Sequence, residues 1–174
     1  MLERILIAGS GGQGIILLGK LLARLAVDSV PHITFFPSYG AEVRGGTSNC
    51  QVILSSREIA SPLAEELDSL LIMNQQSAAR YLPGLAPAGI AVINASLCRL
   101  AGDKRFTLIK ATEIADHLGN VRAANFVMLG AWLKHKPLLP RAAIEKQIRE
   151  SFASAKPAVI EINLKAFQAG LRHE

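Results

Sequence analysis

A glycine run set between two apolar patterns of different period constrains this chain most. Arg4-Ile5-Leu6-Ile7-Ala8 is a short aliphatic stretch that suits a strand buried on both faces. Gly9-Ser10-Gly11-Gly12-Gln13-Gly14 follows, and beyond it Ile15, Leu18, Leu21, Leu22 and Leu25 recur at helical spacing. A helix is therefore expected to about Asp28, with Pro31 opening a second strand over His32 to Phe36. Strand, glycine turn, helix and strand have the length of a parallel crossover. Glycines permit a tight turn and the close approach of a ligand, and a helix N-terminus offers unpaired N–H groups to an anion. The same turn also serves plain close packing of helix on strand, and the spacing leaves both readings open. A dinucleotide site further needs a carboxylate at the end of the second strand. Here that strand runs into Phe36-Pro37-Ser38, and Asp28 lies before it.

Downstream, Asn49 to Ser55 alternates as a third strand with Cys50, Val52 and Leu54 on one face. Ser69 to Met73, Ile90 to Asn94 and Phe106 to Ile109 read as further strands. Gln75 to Leu82 reads as a helix stopped by Pro83-Gly84. The last third reads as helices over Ala111 to His117, Val121 to Lys134, Arg141 to Phe152 and Asn163 to Ala169, with Asn163 as N-cap and Gly170 as the stop. The expected fold is α/β, a three-layer α/β/α arrangement with a mostly parallel central sheet and a helical C-terminal third, as one domain over residues 1–174.

Pro37 to Thr47 reads as a loop. It should lie beside the glycine turn, because loops after the carboxyl ends of parallel strands share one edge. Arg44, followed by Gly45 and Gly46, offers a guanidinium to a phosphate or carboxylate while the backbone stays close. Tyr39 and Glu42 are candidates for a subunit interface or the edge of an active site. Asn125, in an otherwise apolar helix, is expected to make a helix–helix hydrogen bond.

Half of the 174 residues are hydrophobic and 19% are charged, which excludes a disordered chain. No apolar stretch reaches the ~20 residues of a membrane span. The net charge is +5, yet Lys and Arg are scattered and aromatics make up 5%, so no nucleic-acid stacking platform is expected. Cys50 and Cys98 are too few for a zinc or iron–sulfur site and read as reduced thiols of a cytoplasmic protein. No export signal precedes the first strand. No serine has an elbow context, and neither catalytic nor metal-ligating residues are assigned.

Five stretches in order, GSGGQGI (9–15), SYGAEVRGGTSNC (38–50), LLIMNQ (70–75), GNVRAANFVMLGA (119–131) and EINLKAFQAG (161–170), resemble the gamma subunit of 2-oxoacid:ferredoxin oxidoreductases. The resemblance implies an enzyme complex converting a 2-oxoacid, coenzyme A (CoA) and oxidised ferredoxin to an acyl-CoA, carbon dioxide and reduced ferredoxin. It implies that thiamine diphosphate, magnesium and [4Fe-4S] clusters reside on alpha and beta, and in some complexes delta, subunits. This chain would then act as a non-autonomous subunit that covers the active site and helps bind CoA. The cofactor-binding positions carried over are Gly9, Gly11, Gly12, Gln13, Gly14, Arg44, Gly45 and Gly46. In fused pyruvate enzymes the stretch matching residues 41–46 is lysine-rich, whereas here Arg44 is its only cation. The motifs look most like 2-oxoglutarate or branched-chain 2-oxoacid enzymes. The competing readings are a stand-alone nucleotide-binding module and a purely structural assembly subunit.

Overall fold

The computed structural model describes residues 1–39 and 47–173. Its strands are β1 (Leu2–Ser10), β2 (His32–Tyr39), β3 (Thr47–Ser55), β4 (Leu67–Ile72), β5 (Leu85–Asn94) and β6 (Phe106–Ile109). The helices are α1 (Ile15–Ala26), α2 (Gln75–Tyr81), α3 (Ala111–His117), α4 (Ala124–His135), α5 (Arg141–Ser151) and α6 (Pro157–Arg172). The sheet order is β2-β3-β1-β4-β5-β6. β1, β4, β5 and β6 pair in parallel, while β3 runs antiparallel between β1 and β2. β2 thus runs in the direction of β1, as the crossover expectation requires, but the two are separated by β3.

The period-2 pattern sorts side chains to two faces. Ile5, Ile7, Cys50, Val52, Leu54, Leu71 and Val92 enter a large core against α1 and α3 to α6. Leu6, Ala8, Leu70, Ile72, Ala91 and Ile93 face the opposite way, toward Ala78 of α2 and Ala64, Cys98 and Leu100 from connecting segments. The expected three layers are present, with a thin second outer layer that leaves Phe36 at 39% exposure.

Helix α4 is buried all round, from Ala124 to Leu133, which marks it as a central helix rather than a surface one. It crosses α6 where Gly130 and Gly170 face each other. A methyl group on Gly130 would run into the Phe167 carbonyl, and one on Gly170 into the Val127 carbonyl. Gly170 is therefore a packing residue inside α6, not the expected helix stop. Asn163 is likewise not an N-cap: α6 begins six residues earlier at Pro157, whose fixed φ suits a first helical turn, and Asn163 is buried within the helix. Strands β2 and β3 also extend further than expected, with Pro37 opposite Cys50 and Tyr39 opposite Ser48. Proline is tolerated there because β2 is an edge strand.

At the amino end of the parallel strands, Arg4 grips Asp68 through Nε at 2.8 Å and Nη2 at 3.0 Å, and its backbone N–H adds a third bond at 2.9 Å. Burial pushes the Asp68 carboxyl up, but the donors from Arg4 outweigh it and hold it below the ordinary carboxylate value. A carboxyl depressed in the folded state contributes stability above its unfolded pKa and loses it as pH falls through the folded value. Asp68→Asn should therefore cost on the order of 1 kcal/mol at pH 7 and flatten the acid side of the stability profile. Urea unfolding at pH 7 and pH 3 checks this, and an equal loss at both values would exclude the ion pair as the cause.

Candidate functional site

Helices α1 and α2 leave the adjacent parallel strands β1 and β4 toward opposite faces of the sheet. Such a switch point opens a crevice beyond the strands' carboxyl ends, the place where open α/β sheets bind ligands. The glycine turn Gly9–Gly14 leaves β1 at this edge, and Met73-Asn74-Gln75 leaves β4 beside it, joined to the turn by the Asn74–Ser10 hydrogen bond.

The glycines of the turn divide by their reasons. A methyl group on Gly9 would meet Met73 Cβ at 2.7 Å, so Gly9 lets β1 and β4 close on each other. Gly12 and Gly14 adopt φ of 86° and 76°, the left-handed region in which glycine carries no steric penalty. Gly14 also lies against Asn125, whose Nδ2 donates to its carbonyl at 3.3 Å. The bond expected of Asn125 is thus made, between the start of α4 and the N-cap carbonyl of α1. Gly11 has no positive φ, and among the described residues none comes within 4 Å of where a methyl group would sit. Packing against the described residues does not call for glycine there, and Gly11 is exposed.

The electrostatics favour an anion. Gly14 caps α1 without a side chain, so the N–H groups of the first turn keep their donor capacity, and no acidic residue stands in that turn. Helix α4 starts against the same turn through Asn125 and also lacks an acidic residue in its first turn. The positive end of α1, a helix of 12 residues, therefore stands at this edge, whereas Ala124 and Asn125 at the start of α4 are buried and the Phe126 N–H is taken by Asn125 Oδ1 at 2.9 Å. Gln13 folds its Oε1 back onto the Ser10 N–H at 2.7 Å, and Asn74 Nδ2 donates to Ser10 Oγ at 2.6 Å. Farther along the same edge, Asn94 ties β5 to its neighbours, donating to Thr112 Oγ1 at 2.8 Å and to the Met73 carbonyl at 3.4 Å.

The structure brings Gly9, Gly11, Gly12, Gln13 and Gly14 together as one turn. Glu42, Arg44, Gly45 and Gly46 lie outside the described residues, as does every contact of theirs. The flanking backbone fits the expectation of a shared edge: Thr47 pairs with Ser10, and Tyr39 pairs with Ser48, at the carboxyl end of β1. Sequence reasoning did not single out Ser10 and Asn74, which the structure joins beside the glycine turn. The available signal was an asparagine directly after a buried strand and before a helix, the mark of an N-cap.

The residues do not fit an iron–sulfur cluster or a zinc ion. Cys50 and Cys98 belong to opposite faces of the sheet. Burial raises the Cys50 thiol to about 12, against a smaller lowering by the Gly19 backbone, and burial alone raises Cys98 to about 11. Among the described residues no three His, Cys, Asp or Glu side chains group as metal ligands. No described helix is long and apolar enough to cross a membrane.

Known proteins resemble the chain over nearly its whole length. It is 36% identical over 169 residues to ketoisovalerate oxidoreductase subunit VorA of Methanothermobacter thermautotrophicus, a match covering 96% of this chain and 35% of that protein. The chain thus spans about a third of that relative's length. The 2-oxoglutarate synthase subunit KorC of the same organism is 33% identical over 181 residues, covering 97% of this chain and 93% of the relative. The crystal structure of a keto/oxoacid ferredoxin oxidoreductase gamma subunit from Geobacter sulfurreducens superposes with a TM-score of 0.81 at 30% identity, covering 99% of this chain and 96% of that one. The family model described as pyruvate ferredoxin/flavodoxin oxidoreductase matches residues 4–173, and the chain belongs to that family.

Proposed function

We propose that this protein is the gamma subunit of a thiamine-diphosphate-dependent 2-oxoacid:ferredoxin oxidoreductase, working as one domain over residues 1–174. The complex would convert a 2-oxoacid, CoA and oxidised ferredoxin to an acyl-CoA, carbon dioxide and reduced ferredoxin in the cytoplasm. End-to-end similarity to a 2-oxoglutarate synthase subunit and to a crystallised gamma subunit carries this reading. The relatives' names favour 2-oxoglutarate or a branched-chain 2-oxoacid as substrate. Thiamine diphosphate, magnesium and [4Fe-4S] clusters would sit on the alpha and beta subunits, and on delta where one is present. That division agrees with two cysteines set on opposite faces of the sheet.

This chain would contribute binding rather than bond-making. Its glycine turn and the N-terminus of α1 would receive the phosphates of CoA, with Gly9, Gly11, Gly12, Gln13 and Gly14 forming the cradle. Arg44 between Val43 and Gly45 would supply the guanidinium, with Gly46 keeping the backbone close. Tyr39 and Glu42 would face a partner subunit at the edge of the active site.

The test is reconstitution with the alpha and beta subunits. The isolated chain should reduce no ferredoxin. In the complex, Arg44→Ala should raise the KM for CoA by ~10-fold or more, the worth of one charge-assisted hydrogen bond to phosphate. Turnover by the isolated chain would overturn the subunit assignment. An unchanged CoA dependence in a normally assembled variant would remove Arg44 from the site.

A further inference from the structure

Asn74 stands where β4 gives way to α2, and the two ends of its amide have separate tasks. Its oxygen accepts the Ser77 backbone N–H at 2.8 Å and so caps α2. A backbone N–H only donates, so the atom facing it is the oxygen, and the atom 2.6 Å from Ser10 Oγ is the nitrogen. Ser10 therefore accepts from Asn74, and its one hydroxyl proton is turned away from the amide. Among the described residues no acceptor faces that proton. The Ser10 backbone N–H is already bonded to Gln13 Oε1, which leaves the Gln13 amide nitrogen as that side chain's outward group. Ser10 ends β1 and is partly exposed there, beside the exposed Gly11.

We propose that Asn74 is a positioning residue that turns the Ser10 hydroxyl proton toward an anionic oxygen held over the β1–β4 crevice. A hydroxyl is ordinarily ambivalent, able to donate or accept as its neighbour requires. With Asn74 on one of its two lone pairs, the Ser10 hydroxyl has its proton directed away from the amide and matches the other groups of the crevice: the Gln13 amide nitrogen and the first-turn N–H groups of α1 are donors too. The lining then presents donors in concert. An oxyanion finds several at once, whereas a ligand group that only donates finds no more than the second lone pair of Ser10 and is disfavoured. The same arrangement explains why one residue serves both as the cap of α2 and as the partner of Ser10: the cap holds the amide in one orientation. This inference rests on the CoA reading and adds to it the residue that sets the polarity of the site.

The experiment uses the reconstituted oxidoreductase complex carrying Ser10→Ala, Asn74→Ser or both in this chain, with CoA as the probe. Serine caps a helix about as well as asparagine and adds no charge, but it is too short to hold Ser10. Ser10→Ala should raise the KM for CoA about tenfold, the scale of a hydrogen bond to a charged group, and Asn74→Ser about threefold. Neither change should appear in the KM for the 2-oxoacid, and both should exceed any change in kcat. The deciding result is the double variant: once Ser10 is alanine, Asn74→Ser should add nothing. A threefold effect that persists without Ser10 overturns the proposal, because Asn74 would then act by another route. An unchanged KM in Ser10→Ala also overturns it. Arg44→Ala run alongside then separates the two failures: a raised KM there leaves the CoA reading standing without Ser10, and an unchanged one removes both.

Discussion

Gly130→Ala is expected to lower the stability of the protein although alanine is the better helix former. Relief of glycine's backbone entropy in the middle of α4 favours the variant by ~1 kcal/mol. Against it, the added methyl lands on the Phe167 carbonyl, with the Leu171 amide nitrogen at 2.8 Å and the Gly170 Cα at 3.0 Å. These are backbone atoms, which cannot rotate out of the way, so α4 and α6 must separate along a crossing that lies inside the main core. Overpacking of this kind costs ~3 kcal/mol at the upper end of its range. The packing term wins, and the net loss is about 2 kcal/mol, or roughly 4–8 °C in melting temperature for a domain of this size. Gly170→Ala meets the reciprocal contact with Val127 and should lose a similar amount. The two losses should not add, since one separation of the helices relieves both. Gly102→Ala is the control, with no described residue within 4 Å of its added methyl. Equal melting temperatures for Gly130→Ala and the control would show that the helices do not cross this closely.

Lys136→Met should be more damaging than the removal of both partners of its ion pair. Glu3 is 5% exposed, and its carboxylate is held by Lys136 Nζ at 3.1 Å and by the Ser69 hydroxyl at 2.5 Å. Ser69 in turn accepts from the Trp132 indole at 2.9 Å, so one chain of bonds joins β1, β4 and both the body and the end of α4. Taking away the lysine alone leaves a buried carboxylate with one neutral donor. That situation costs ~3–5 kcal/mol for a fully buried pair, reduced here to about 2–3 because the Lys136 side chain keeps 23% of its exposure. Glu3→Gln together with Lys136→Met removes the uncompensated charge and should recover at least half of the loss. Denaturant midpoints of the two singles and the double complete the cycle. A double variant as weak as Lys136→Met would show that the methylene stem of the lysine, not its charge, carries the effect.

Much of this architecture was legible because short-range chemistry and the final packing agree. The aliphatic run before Gly9, the 3.6-residue repeat after Gly14 and the alternation at Cys50, Val52 and Leu54 each specify both an element and the face it buries. The position of β3 was not legible. Nothing within Asn49 to Ser55 says whether the strand pairs with β1 or only with β2, and its place between them is a choice of the whole sheet. The start of α6 was hidden by weight given to Asn163 as a cap, where Pro157 carried the stronger first-turn signal. Gly170 looked like a terminator for the same reason, since a glycine that lets two helices touch is indistinguishable from one that ends a helix until the second helix is in place. At the site, the turn from Gly9 to Gly14 announced itself by spacing. Ser10 and Asn74 did not, because they lie 64 residues apart in the chain and meet only through the pairing of β1 with β4.

The antiparallel return of β3 has a consequence for how proteins of this architecture can diverge. Thr47 pairs with Ser10 and Ser48 with Tyr39, so the segment between Tyr39 and Thr47 departs from and rejoins the rim that carries the glycine turn. Lengthening or recharging that segment leaves every rung of the ladder below it in register, from Asn49 to Ser55. Evolution can thus retune that rim as an independent module while the aliphatic interior keeps its sequence.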